Sequence, residues 1–97
     1  MSFVLEITEP PSGTGVRRWL DLARALAQQG QIDRADRAYA AAFQIEPTNA
    51  QILWDRASAL RDAGRQEQAR PLFRQIVAGP WEPRFADLQA RAKQFAQ

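Results

Sequence analysis

The side chains that could carry chemistry in this sequence are carboxylates, arginines and one tryptophan. Asp21 and Asp55 stand thirty-four positions apart. Two carboxylates brought together can act as acid and base when one is forced to keep its proton. Nothing in the sequence around either residue raises such a pKa, so both read as solvated helix-surface charge. Arg17, Arg18, Arg24 and Arg61 could follow a line of phosphates, but Asp21, Asp55 and Asp62 are interleaved with them. A phosphate track needs several uncompensated charges, and nucleic acid is therefore not the expected partner. Trp54 follows Leu53 and precedes Asp55. A large aromatic beside charged residues has the composition of an interface anchor.

The sequence contains no His and no Cys. That removes imidazole acid–base chemistry, thiol nucleophiles, disulfides and the usual zinc ligands. No catalytic residue, metal ligand or cofactor site is expected, and the chain does not read as an enzyme. Its 97 residues leave room for one small domain, at 45% hydrophobic and 25% charged, an ordinary globular balance. The net charge is only +2, and Lys93 is the sole lysine. An arginine bias of this kind reads as codon usage in a GC-rich, bacterial genome, because clustering rather than pI marks a nucleic-acid face. No apolar run approaches the roughly 20 residues of a membrane span. Phe3 to Ile7 is too short for a signal-peptide core and has no basic residue before it, so a cytoplasmic protein, or a piece of a longer one, is expected.

The elements that must position these residues come from an internal repeat. Shifted forward by thirty-four positions, Val16 to Asn49 falls on Ala50 to Pro83. Asp21 then lands on Asp55, Ala23 on Ala57, Leu26 on Leu60, Gly30 on Gly64, Ala35 on Ala69 and Tyr39 on Phe73. A period in this range marks stacked structural units. Within each unit, apolar residues recur at helical spacing. Val16 to Gln29 and Gln31 to Ile45 form the first predicted pair, with Gly30 as the stop between them. Ala50 to Ala63, capped by Thr48 or Asn49, begins the second pair and stops at Gly64. The fourth helix ends before Gly79-Pro80 and carries Pro71 early, where the ring removes a hydrogen bond and bends the first turn unless the helix starts late. Arg84 to Gln97 places Phe85, Leu88, Ala92 and Phe95 on one side of a closing helix. Residues 1–15 hold Pro10-Pro11 and Gly13, and read as a loose segment in which Ser12 or Thr14 caps the first helix. The run Phe3 to Ile7 is read as a loose leader, the alternative being a strand-like occupant of a groove.

Trp19, Leu22-Ala23, Leu26, Gly30, Ala35, Tyr39, Ala42 and Pro47 in the first unit resemble the tetratricopeptide repeat. Leu53, Arg56-Ala57, Leu60, Gly64, Ala69, Phe73 and Ile76 repeat the pattern in the second unit, with its closing proline displaced to Pro80 or Pro83. Arg56 stands where the pattern has Leu. Its head must reach solvent or a carboxylate, with Asp55, Asp62 and Asp87 as candidates. The resemblance implies an all-α fold of antiparallel helix-turn-helix repeats stacked as a short right-handed α-solenoid. Repeat 1 would be 16–49, repeat 2 50–83 and the capping helix 84–97.

The resemblance also implies a non-catalytic adaptor or scaffold that binds a peptide or protein partner in a concave groove lined by the first helix of each pair. The expected partner-binding residues are Arg17, Leu20, Asp21 and Arg24 from the first copy, with Ala27 and Gln28 on the same side. From the second they are Gln51, Trp54, Asp55, Ser58 and Arg61, with Asp62. Trp54 is expected to lie partly exposed beside Leu20, against a reading in which the closing helix covers it. Some members of the family grip a carboxylate terminus with Lys and Asn. Leu20, Arg24 and Asp55 occupy those places here, and Asp55 would repel such a ligand. The alternative function is a structural or oligomerising segment that packs on a neighbouring domain or copy.

Overall fold

The computed structural model describes residues 15–97. Phe3 to Ile7 and the proposed caps Ser12 and Thr14 lie outside them. The described residues form α1 (Gly15–Gln28), α2 (Ile32–Ile45), α3 (Ala50–Asp62), α4 (Gln66–Ala78) and α5 (Ala86–Ala92). Short 3-10 turns at Pro83–Phe85 and Lys93–Phe95 bracket α5, so the closing segment is three short helical pieces rather than one helix. Helix α1 takes in Gly15, assigned above to the loose segment.

Both hairpins turn in the same way. The Gln31 N–H donates to the Leu26 carbonyl at 2.9 Å and the Gly30 N–H to that of Ala27 at 3.0 Å. Thirty-four residues on, Arg65 donates to Leu60 at 2.8 Å and Gly64 to Arg61 at 2.9 Å. This paired pattern satisfies the last carbonyls of a helix and requires a left-handed residue at its centre. Gly30 and Gly64 supply it at φ +80° and +82°. Asn49 caps α3, its side chain accepting a hydrogen bond from the Gln51 N–H at 3.1 Å. Helix α4 begins at Gln66, level with Ile32 of α2, and runs through Pro71. It does not start late, so the missing N–H leaves the Glu67 carbonyl without its helical donor.

Packing follows chain order: α1 on α2, α2 on α3, α3 on α4, and α4 on the closing segment. The molecule is only 16 Å across its thinnest direction, about two helical layers at the usual 8–10 Å separation. Ala23, Ala35, Ala57 and Ala69 are fully buried where paired helices meet, since only a small side chain permits close approach there. Trp19, Leu26 and Tyr39 form the first core together with Ile52 of α3. Leu53, Leu60, Phe73 and Ile76 form the second, which Ala92 and Phe95 cover.

Arg56 finds its carboxylate on α2, not among the three candidates named from the sequence. Its Nε donates to Asp36 Oδ1 at 2.6 Å and its Nη2 to Oδ2 at 3.2 Å. The planar fork and the carboxylate thus join the two hairpins in a bidentate, half-buried pair. Carbonyls at the end of α4 are closed from outside the helix. The Trp81 indole N–H donates to the Ile76 carbonyl at 2.9 Å, and Gln89 Nε2 reaches those of Ile76 and Gly79 at 3.1 Å.

The glycines separate two kinds of constraint. Nothing lies within 4 Å of a Cβ added at Gly30 or Gly64, so Gly30→Ala and Gly64→Ala meet backbone strain alone. Each should cost about 1–2 kcal/mol in urea unfolding. A Cβ at Gly79 would instead strike the Trp81 indole. Gly79→Ala should therefore change tryptophan fluorescence in the folded state, which the other two substitutions should leave as it is.

Candidate functional site

A cleft of about 640 Å³ opens between the two hairpins. Helix α1 contributes Arg24, Ala27 and Gln28 to it, and α3 contributes Asp55, Ser58, Ala59 and Asp62. Tyr39 and Ile32 of α2 form its apolar floor, and Arg65 closes one end. These are the first helices of the two repeats, lying side by side because α2 packs against both.

Charge in the cleft is balanced locally. Arg24 lies between the two carboxylates singled out above, with Nη1 3.7 Å from Asp21 and Nη2 3.6 Å from Asp55. Asp21 and Asp55 are thus brought together around a guanidinium, as an ion-pair cluster rather than an acid–base pair. Both separations exceed hydrogen-bonding distance, and Arg24 stays about half exposed. Gln51 donates to Asp55 at 3.0 Å and holds it in place. At the far end, Arg65 donates to Asp33 at 2.7 Å. That hydrogen bond and the arginine's charge keep the Asp33 carboxyl below its usual range; both groups are exposed, and such pairs contribute little to stability. Burial pushes the Tyr39 phenol above its usual value, and Asp55 adds to the shift while Arg24 opposes it. Ser58 Oγ is buried in the wall with no hydrogen-bond partner among the described residues.

A cleft built from the first helices of two thirty-four-residue hairpins matches what the repeat pattern implies, and the family model for the tetratricopeptide repeat matches residues 26–92. The chain belongs to the tetratricopeptide repeat family. It is similar to the human protein General transcription factor 3C polypeptide 3, with 34% identity over 67 residues. That match takes in 69% of this chain but spans only 7% of the relative's length. No solved structure matches. Tetratricopeptide repeats in general mediate protein–protein interactions.

Of the expected groove residues, Arg24, Asp55 and Ser58 line the cleft, as do Ala27, Gln28 and Asp62. Asp21 and Gln51 flank it through their contacts with Arg24 and Asp55. Arg17 is exposed elsewhere on α1. Leu20 is half-buried against the first core. Trp54 and Arg61 point away from the cleft, toward the closing segment. The Trp54 ring meets Phe73 at 5.4 Å and Phe95 at 6.0 Å, both edge-on, and the Arg91 guanidinium lies 4.8 Å over it. Arg61 stacks over Phe95 at 4.3 Å. Trp54 is half-buried, and its ring packs on α4 and the closing segment.

Tyr39 and Ile32 escaped the sequence reading as cleft residues because they belong to the second helix of the pair, assigned wholly to packing. The stripe Phe85, Leu88, Ala92 and Phe95 packs on an apolar surface to which Trp54 contributes. If Trp54 is packed, Trp54→Ala should lower stability by about 3 kcal/mol, as large-to-small changes at packed sites do; a free surface anchor would change it by roughly 0.5 kcal/mol or less. Tyr39 is the chain's one tyrosine, so the ultraviolet absorbance of phenolate reads it alone. Its midpoint should lie above 10, and Asp55→Asn should lower that midpoint. Because the folded pKa is raised, the stabilisation it contributes is complete below the unfolded pKa and declines as pH rises through the folded value.

Proposed function

We propose that the chain is a non-catalytic interaction module that binds an extended segment of a partner protein in the cleft between α1 and α3. What carries this reading is the cleft itself: about 640 Å³ of space lined by both repeats, with an apolar floor and an unsaturated guanidinium at its wall. An Arg24 fork held too far from Asp21 and Asp55 for hydrogen bonding can accept a partner carboxylate at little cost to the fold. Ala27, Ala59 and Ile32 suit small apolar side chains in the middle of the segment, and Asp62 at the other side, whose Oδ1 is paired with Arg61 at 3.2 Å, offers its second oxygen to a basic group. The arrangement sets polarity: acidic toward Arg24, basic toward Asp62.

The balance of two arginines and two aspartates in the lining argues against a nucleic-acid backbone, which needs net positive charge along its path. The placement of Arg24 between Asp21 and Asp55 also argues against an acid–base pair, since each carboxylate neighbours the guanidinium.

Display selection of random peptides against the folded chain tests this reading. Selected peptides should carry an acidic residue ahead of small apolar ones, and Arg24→Glu should weaken them roughly tenfold or more, the scale of a lost charge-assisted contact. Arg34→Glu, on the exposed side of α2, should leave them unaffected. Peptides that bind both variants like the parent would contradict the cleft assignment.

A further inference from the structure

A second pocket, of about 180 Å³, opens between α4 and the end of the closing segment. Gln66, Arg70 and Phe73 line it from α4, Gln94 and Phe95 from the closing segment, and Arg61 from α3. Among the described residues no Asp or Glu lines it. Arg61 is held in place, its guanidinium stacked over Phe95 at 4.3 Å while Nε and Nη2 both turn to Asp62 Oδ1. Its Nη1 has no hydrogen-bond partner among the described residues. Arg70 is the unusual member. Arg56 and Arg61 are half-buried, as Arg70 is, and they hold Asp36 and Asp62. Arg65 holds Asp33. Arg70 has no ion pair among the described residues. The internal repeat shows where its partner went. Arg70 stands thirty-four residues after Asp36, and Ala90 thirty-four after Arg56. The ion pair that joins the two hairpins thus has an arginine and an alanine as its counterpart. A guanidinium that gives up part of its hydration without gaining an anion is unfavourable until one arrives.

We propose that this pocket is a binding site for a carboxylate carried on a short apolar stem. The open fork of Arg70 can take both carboxylate oxygens in a bidentate pair, and Arg61 Nη1 adds a second charged donor. The amides of Gln66 and Gln94 supply neutral ones. Charge sets the ligand's valence. Two guanidiniums, less the Asp62 carboxylate already on Arg61, leave one positive unit for a monoanion. A phosphate monoester carries nearly twice that charge and would be left partly unneutralised. Phe95 and Phe73 give the stem an apolar wall, and the volume admits a small acid or a single side chain. The site lies on the second helix of its repeat and on the closing segment, apart from the Leu20, Arg24 and Asp55 positions. It does not depend on the cleft's being a binding site.

Titration of the isotope-labelled full chain with sodium propionate, followed by nuclear magnetic resonance at neutral pH and constant ionic strength, tests the proposal. Signals of the Arg70 Nε–H, the Gln94 side-chain amide and the Phe95 ring should shift together and saturate. Arg70→Gln should weaken binding about tenfold, the scale of a lost charge-assisted hydrogen bond. Arg70→Lys keeps the charge but loses the fork, and should also weaken it. Arg37→Gln, on an exposed part of α2, should change nothing. A second probe, N-acetylglutamate α-amide, separates the two sources of such a carboxylate. Binding at least as tight as that of propionate assigns the pocket to an acidic side chain, and weaker binding to a free small acid. Shifts that never saturate, or that Arg70→Gln leaves unchanged, would overturn the proposal. So would inorganic phosphate binding as tightly as propionate, the mark of unselective anion attraction. If Arg70→Gln lowers stability yet leaves propionate binding intact, the chain neutralises Arg70 itself and the proposal fails.

Discussion

A two-helix hairpin of about thirty residues cannot bury both of its broad faces, and the rest of this structure follows from how those faces are covered. The first hairpin covers one of them with the second, drawing Ile52 into its core and fastening Arg56 to Asp36. Among the described residues, a short closing segment rather than a third hairpin follows the second hairpin. That hairpin's free face is closed by this segment, whose contribution is largely aromatic: Phe95 against Phe73 at 5.0 Å, both against Trp54, and Phe85 against Trp81. Edge-on and tilted aromatic contacts add to the burial of the rings themselves. The closing segment thus completes the core of the second repeat as well as shielding it.

Helix α3 shows the consequence most clearly. With about 100° between successive residues, Ile52, Arg56 and Ala59 point to α2, and Leu53, Ala57 and Leu60 point to α4. Trp54 and Arg61 meet the closing segment, which leaves Asp55, Ser58 and Asp62 for the cleft. Four directions are assigned and only one of them is open. Helix α1 divides its surface in the same way, except that its Arg18, Leu22 and Ala25 face has nothing of the described chain upon it. The cleft and that outer face are therefore the two surfaces where the stacking rule leaves α1 or α3 uncovered.

The fold was legible in the sequence because its strongest signals are local and periodic. Gly30 and Gly64 fix the turns, the buried alanines fix the close helix contacts, and the thirty-four-residue offset ties one hairpin to the other. The candidate site was legible in part. Arg24, Asp55 and Ser58 follow from counting along the first helix of each pair. Trp54 did not, because α3 is apolar in several directions and weakly amphipathic, so position along the helix could not show which neighbour its ring meets. The partner of Arg56 was missed for a related reason: Asp36 is twenty residues away, and only the crossing of α2 and α3 brings it close.

The closing segment takes Trp54 and leaves the cleft side of α3 open. Nuclear Overhauser contacts from the Trp54 indole test this most directly. They should connect it to the ring protons of Phe73 and Phe95 and to the Arg91 side chain. Contacts to Leu20 and Arg24 in their place would return Trp54 to the cleft and contradict the account.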